Sequence, residues 1–67
     1  MKLSDKLNAI ANADCFYGES LYAAYESEII TTEKDKRVLS RYMHGSELTA
    51  DRFYLQDLAI RFAMEGK

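Results

Sequence analysis

The last helix-forming stretch of the chain, from about residue 49 to residue 65, carries apolar side chains on two opposite sides. Winding it at about 100° per residue gives one broad apolar face, made of Tyr54, Leu55, Leu58, Ala59 and Phe62. A second, narrower row lies about 170° away and consists of Phe53, Ile60 and Met64. A surface helix needs only one apolar stripe, so the second row predicts a second partner. In so short a chain, we expect that partner to be another copy of the protein.

The chain has 67 residues, and domains of this size bury only about 60% of the surface that their unfolded chain exposes. They usually need disulfides, a metal ion or self-association for stability. A single cysteine, Cys15, excludes an intramolecular disulfide, and with the single histidine, His44, it cannot form a four-ligand zinc site. We therefore expect no metal and no cofactor, and the prediction of a homodimer gains support by elimination.

The composition is that of a folded domain and excludes a broad electrostatic attraction to polyanions. Hydrophobic residues make up 48% of the chain and charged residues 30%, with nine Lys and Arg against eleven Asp and Glu. The net charge of −2 indicates no general affinity for nucleic acid or an anionic membrane. There is no apolar run long enough to span a membrane and no pattern of a signal peptide. With its free thiol, the protein is expected in the cytoplasm.

The sequence predicts an all-α fold in one domain over residues 1–67, a small bundle of three or four helices. It contains no proline, and no segment combines alternating apolar residues with β-branched enrichment. Over residues 4–30 the apolar positions stay in helical phase, so that one long helix and two shorter ones both fit. Poor helix formers between Ala13 and Gly18 favour a break there.

The second half of the chain predicts a helical hairpin. Thr32, with an acidic residue three positions later, is typical of a helix N-cap, and Gly45 is typical of a left-handed C-cap. Thr49 is expected to cap the last helix. The short connection between them predicts two helices, about 33–44 and 50–65, that pack against each other.

A row of basic residues on the first hairpin helix is the most function-like charged feature. Lys34, Arg37, Arg41 and His44 follow one another at spacings of three, four and three, within an arc of about 80°. Such a row can contact phosphates or an acidic partner protein. The simpler interpretation is the solvated side of an amphipathic helix, which we favour because the whole protein is acidic.

A glycine in the turn between two helices also invites comparison with helix-turn-helix DNA-binding motifs. That motif needs a small residue four positions before the glycine and an apolar residue six positions after it. Around Gly45 these positions hold Arg41 and Asp51. DNA binding of this type is therefore not favoured.

Catalysis is not expected. A thiolate–imidazole pair of Cys15 and His44 has no supporting motif, and the chain contains no phosphate-binding loop, paired-carboxylate pattern or metal cluster. Of the five tyrosines, Tyr22 lies off the main apolar stripe of its helix and is the best tyrosine candidate for an interface. No motif identifies a family.

These observations predict a small cytoplasmic, non-catalytic protein–protein interaction module. It is expected to self-associate through Phe53, Ile60, Met64 and Tyr22 and to bind an unidentified protein partner. The alternative is a regulator that contacts nucleic acid with Lys34, Arg37, Arg41 and His44.

Overall fold

Four helices make up the part of the chain that the computed structural model describes, which is residues 2–12, 18–45 and 49–67. They are α1 (Leu3–Ala11), α2 (Gly18–Glu26), α3 (Glu33–Met43) and α4 (Thr49–Met64). No strand occurs among these residues. The predictions of an all-α bundle and of a closing helical hairpin are therefore confirmed, with α3 and α4 as the helices of the hairpin.

The first half of the chain contains two helices rather than one. α1 ends at Ala11 with Asn12 as its C-cap, and α2 begins at Gly18. The break that the sequence predicts between Ala13 and Gly18 falls on residues 13–17, which lie outside the described residues.

The ends of α3 follow the predicted capping pattern. The Oγ1 of Thr32 accepts a hydrogen bond of 3.1 Å from the backbone N–H of Asp35. At the other end Gly45 has a φ of +81°, and its N–H donates to the carbonyl of Tyr42 at 3.1 Å. α4 begins at Thr49 itself, one residue earlier than predicted, so Thr49 is a helical residue and the cap position lies outside the described residues.

The C-terminal end of α4 is closed by a Schellman motif that also contacts α1. Gly66, with a φ of +75°, donates its N–H to the carbonyl of Ala63 at 3.0 Å. The N–H of Lys67 donates to the carbonyl of Phe62 at 3.0 Å. The carbonyl of Lys67 in turn accepts the N–H of Ser4 at 3.1 Å, which joins the end of α4 to the first turn of α1.

The helices pack as a ring in which α1 and α4 share the most extensive interface. These two run antiparallel, because Lys67 bonds Ser4 at one end and the amide of Gln56 donates to Asn12 Oδ1 at the other, at 3.2 Å. α2 packs on α3, and smaller contacts join α1 to α2 and α3 to α4. In the described residues α2 and α4 occupy opposite corners of the ring, and their backbones do not come close to each other.

The core lies inside this ring and receives the broad face of α4. Leu55, Leu58, Ala59 and Phe62 of that face are buried, and Tyr54 at its edge is half-buried. They meet apolar side chains from the other three helices and the segment after α2, namely Leu7, Ile10, Ala11, Leu21, Ala24, Ile30, Val38, Leu39 and Tyr42. The core is thus closed without the second apolar row of α4.

Candidate interaction surface

The second apolar row of α4 faces away from the bundle. We call Phe53, Ile60 and Met64 the outer stripe; they are 60%, 58% and 83% exposed. If α4 were sandwiched between two other helices of its own chain, these residues would be covered. α1 and α3 instead flank α4 and leave the outer stripe uncovered by the described residues.

An exposed carboxylate lies in the same row. At 100° per residue, Asp57 falls within about 40° of Phe53 and between Phe53 and Ile60 along the helix axis, and it is exposed. The same helical phase identifies it from the sequence, although only the apolar members of the row were predicted to form an interface. The row is therefore apolar with one acidic member.

A shallow groove borders the outer stripe on the side of α1. It has a volume of about 260 Å³ and is lined by Ser4, Asp5, Asn8, Ala59, Ile60 and Ala63. Small side chains on both helices leave this space open beside Ile60. The C-terminal half of the outer stripe is thus continuous with a concave surface that another side chain can enter.

Tyr22 lies on a different surface from the outer stripe. It is 59% exposed on α2, the helix at the opposite corner of the ring from α4. A hydrogen bond to Glu26 raises the pKa of Tyr22 above its usual value. The structure therefore brings three of the four predicted self-association residues together and leaves Tyr22 apart from them.

The basic row of α3 is divided by an ion pair to α4. Arg41 donates from Nε to Asp51 Oδ2 at 2.6 Å and from Nη2 to Asp51 Oδ1 at 2.7 Å. Asp51 is only 4% exposed, and the hydrogen bond from Arg41 lowers its pKa. The two positions that a helix-turn-helix motif would fill with a small and an apolar residue thus form a bidentate ion pair between the hairpin helices.

The other members of the basic row differ in their surroundings. The Nζ of Lys34 lies 5.1 Å from the centre of the Tyr54 ring, within cation–π range. His44 is exposed, with Nδ1 2.7 Å from the carbonyl oxygen of Ser40. Arg37 is exposed on the outer side of α3. The row therefore presents Lys34, Arg37 and His44 to solvent, while Arg41 is directed to Asp51.

A second carboxylate, Asp35, is fully buried between α3 and α4. Its Oδ1 accepts a hydrogen bond from the hydroxyl of Tyr54 at 2.5 Å, and its Oδ2 accepts one from Arg61 Nη1 at 2.7 Å. Burial alone would raise the pKa of Asp35, but the hydrogen bonds from Tyr54 and Arg61 outweigh it, and the pKa is lowered. Asp35 is therefore a structural anion that joins the two hairpin helices.

Neither buried acid was predicted from the sequence, although helical phase indicates both. Asp35 precedes Val38 and Tyr42 by three and seven residues, which places it on the apolar face of α3. Asp51 precedes Leu55 and Leu58 by four and seven residues, and so lies on the broad face of α4. An acid at core phase predicts a buried ion pair, because a buried carboxylate needs a partner.

The described residues contain no group of three or more His, Cys, Asp or Glu side chains arranged to hold a metal ion. None of their helices is long and apolar enough to cross a membrane. Cys15, the partner considered for His44 in a thiolate–imidazole pair, lies outside the described residues. No protein-family model matches the chain, and neither does a curated protein or a solved structure.

Proposed function

We propose that the protein is a non-catalytic, cytoplasmic interaction module that self-associates through the outer stripe of α4. One observation carries the proposal: Phe53, Ile60 and Met64 are 58–83% exposed in a single row, while the core closes without them. Large apolar side chains aligned on one helix face are typical of protein–protein contact sites. The lone cysteine of the chain suits a reducing compartment.

The energetics favour a weak, reversible pair. Burying the exposed fractions of the three side chains stabilises the dimer by roughly 3–6 kcal/mol per copy, or 6–12 kcal/mol for two copies. Association itself costs about 4–15 kcal/mol in translational and rotational freedom. The apolar gain is of the same order as this cost, so we expect an exchanging dimer rather than an obligate one.

A second copy fits the outer stripe because one helix surface suffices. In a two-fold interface each copy uses the same patch, so that α4 of one copy packs on α4 of the other. The pair covers both outer stripes and requires no other exposed apolar residue. Tyr22 stays outside this interface because it lies on α2.

Sedimentation equilibrium from about 10 µM to 1 mM tests the proposal over the range that a weak pair requires. We expect the mass to rise from 7.7 kDa towards twice that value with concentration. Ile60→Asp should abolish the rise, since it places an unpaired carboxylate in the apolar contact. Tyr22→Asp is the matched control, because Tyr22 and Ile60 are almost equally exposed, at 59% and 58%.

Two outcomes would contradict the proposal, and a third calls for a second variant. A 7.7 kDa species at every concentration would exclude self-association. Dissociation by Tyr22→Asp but not by Ile60→Asp would move the interface to α2. A loss of helical circular dichroism in Ile60→Asp would show unfolding rather than dissociation, and Met64→Asp at the most exposed position then repeats the test.

The alternative function is a nucleic-acid-contacting regulator that uses the basic row of α3. Its contacts would come from Lys34, Arg37 and His44, with Arg41 available only if it leaves Asp51. A salt titration of binding to duplex DNA and to RNA tests it. Affinity that falls steeply with salt and is lost in Arg37→Glu would favour this alternative.

A further inference from the structure

We infer that the two copies pair antiparallel, with Asp57 of each copy bonded to Arg61 of the other. The inference rests on the proposed self-association and adds its geometry. It follows from the charges that border the outer stripe and from the two symmetry operations by which one helix can pair with its copy. The observations are the exposure of Asp57, the partial exposure of Arg61 and the helical phase of both residues.

A parallel pair gives Asp57 no opposite charge. When a two-fold axis runs along the helices, every residue lies at the height of its own counterpart, so the two Asp57 carboxylates lie at one height on opposite flanks of an apolar contact. The operation also brings opposite flanks of the two helices together. Arg61, which lies on the same flank as Asp57 and about 40° from it, would then be on the far side of the contact.

An antiparallel pair does bring an opposite charge to Asp57. The whole outer stripe is buried when the two-fold axis passes α4 midway between Phe53 and Met64. Phe53 then faces Met64 of the other copy. Asp57 then falls within one residue, about 1.5 Å in height, of Arg61 in the other copy. A two-fold axis across the helices brings like flanks together, and the two residues meet on the same side.

Arg61 is able to bind a second carboxylate. Its Nη1 donates to Asp35 at 2.7 Å, yet 41% of its side chain is exposed. A guanidinium carries five N–H groups, and this bond uses one of them. Because Asp35 holds the Arg61 side chain in place, little side-chain freedom would be lost when Asp57 of the other copy binds it.

Distance measurement between spin labels tests the orientation. Ala50→Cys, exposed in the first turn of α4, is labelled in a Cys15→Ser background. In the antiparallel pair the two positions lie about 25 Å apart along the helix axis, because 17 residues separate their heights. In a parallel pair they lie at one height, separated only by the roughly 10 Å between helix axes.

The charge contact is tested by Asp57→Asn, which keeps the size of the side chain and removes its charge. We expect dimer dissociation to become at least about fivefold easier, in line with the loss of a charge-assisted hydrogen bond. Glu65→Gln is the matched control: it removes one negative charge next to α4 but off the outer stripe. Sedimentation equilibrium of the unsubstituted protein and the two variants at equal concentration gives the ratios of their dimer dissociation constants.

The experiments distinguish a failure of self-association from a failure of the antiparallel pairing. Absence of any dimer would refute the proposed function, and this inference would fall with it. A dimer with label distances below about 15 Å, or one that Asp57→Asn tightens, would overturn only the antiparallel pairing. A dimer weakened equally by Asp57→Asn and Glu65→Gln would show that the effect is not specific to Asp57 and would also overturn the contact to Arg61.

Discussion

Replacing the buried Asp35 by asparagine is the sharpest test of how the bundle is held together. The substitution keeps the shape of the side chain and removes its charge. The carboxylate accepts hydrogen bonds from Tyr54 and Arg61, and asparagine can accept with only one oxygen. The NH2 group of asparagine would instead face Tyr54 or Arg61, which are both donors.

The expected cost is about 2 kcal/mol. A hydrogen bond to a charged group contributes about 1.5–3 kcal/mol, and we take the lower part of this range because Arg61 is 41% exposed and can turn to solvent. At about 0.05–0.15 kcal/mol per residue, a domain of this length has a total stability of roughly 3–10 kcal/mol. Asp35→Asn should therefore lower the Tm by about 8–16 °C.

Circular dichroism melting of both proteins at equal concentration measures this difference, and its pH dependence identifies the cause. Because the folded-state pKa of Asp35 is lowered, its stabilisation is complete above the unfolded pKa of about 3.9 and is lost as the pH falls through the folded value. The Tm difference should be constant above about pH 5 and shrink below about pH 4. Asp51, whose pKa is also lowered, titrates in both proteins and cancels from the difference. Equal melting temperatures at pH 7, or a difference unchanged well below pH 4, would refute the reasoning.

Two further predictions concern the hairpin. Thr32→Ala removes the oxygen that accepts the N–H of Asp35 and should cost about 1 kcal/mol in thermal or urea unfolding, whereas Thr31→Ala, one residue earlier, serves as control. Arg37→Glu on the exposed side of α3 should change stability by no more than about 0.5 kcal/mol, but Arg41→Glu should cost at least about 2 kcal/mol because it sets a second carboxylate against buried Asp51. Equal effects of the two arginine substitutions would mean that the Arg41–Asp51 pair contributes nothing.

The features that sequence analysis predicted correctly depend on local spacing. The two apolar sides of α4 follow from the angle between successive residues, so the exposure of Phe53 and the burial of Phe62 were both expected. The cap at Thr32 and the left-handed Gly45 depend on contacts within four residues. Patterns of this range are visible in one sequence because no distant partner takes part in them.

The features that were missed depend on partners far apart in the chain. Asp35 lies 19 residues before Tyr54 and 26 before Arg61. The cap pattern predicts the hydrogen bond of its backbone N–H, but it does not predict the partners of its carboxylate. Arg41 was grouped with a solvated basic row by its spacing, and only its position relative to α4 shows that it binds Asp51. Helical phase shows that an acid lies on the core side of its helix, but which arginine binds that acid depends on how the helices pack.

The two ion pairs also explain which side of α4 faces the core. A helix with apolar residues on two opposite sides can pack either side against the core. The area of the broad face alone gives only a limited preference for burying that face. Turning α4 by half a turn would bring Phe53 and Ile60 inward and carry Arg61 and Tyr54 away from Asp35. That carboxylate would stay buried on α3 without hydrogen bonds, at a cost of several kcal/mol, while the pair of Arg41 and Asp51 would break as well. The ion pairs therefore act against the rotated helix, and they keep the outer stripe on the surface, where a second copy can bind it.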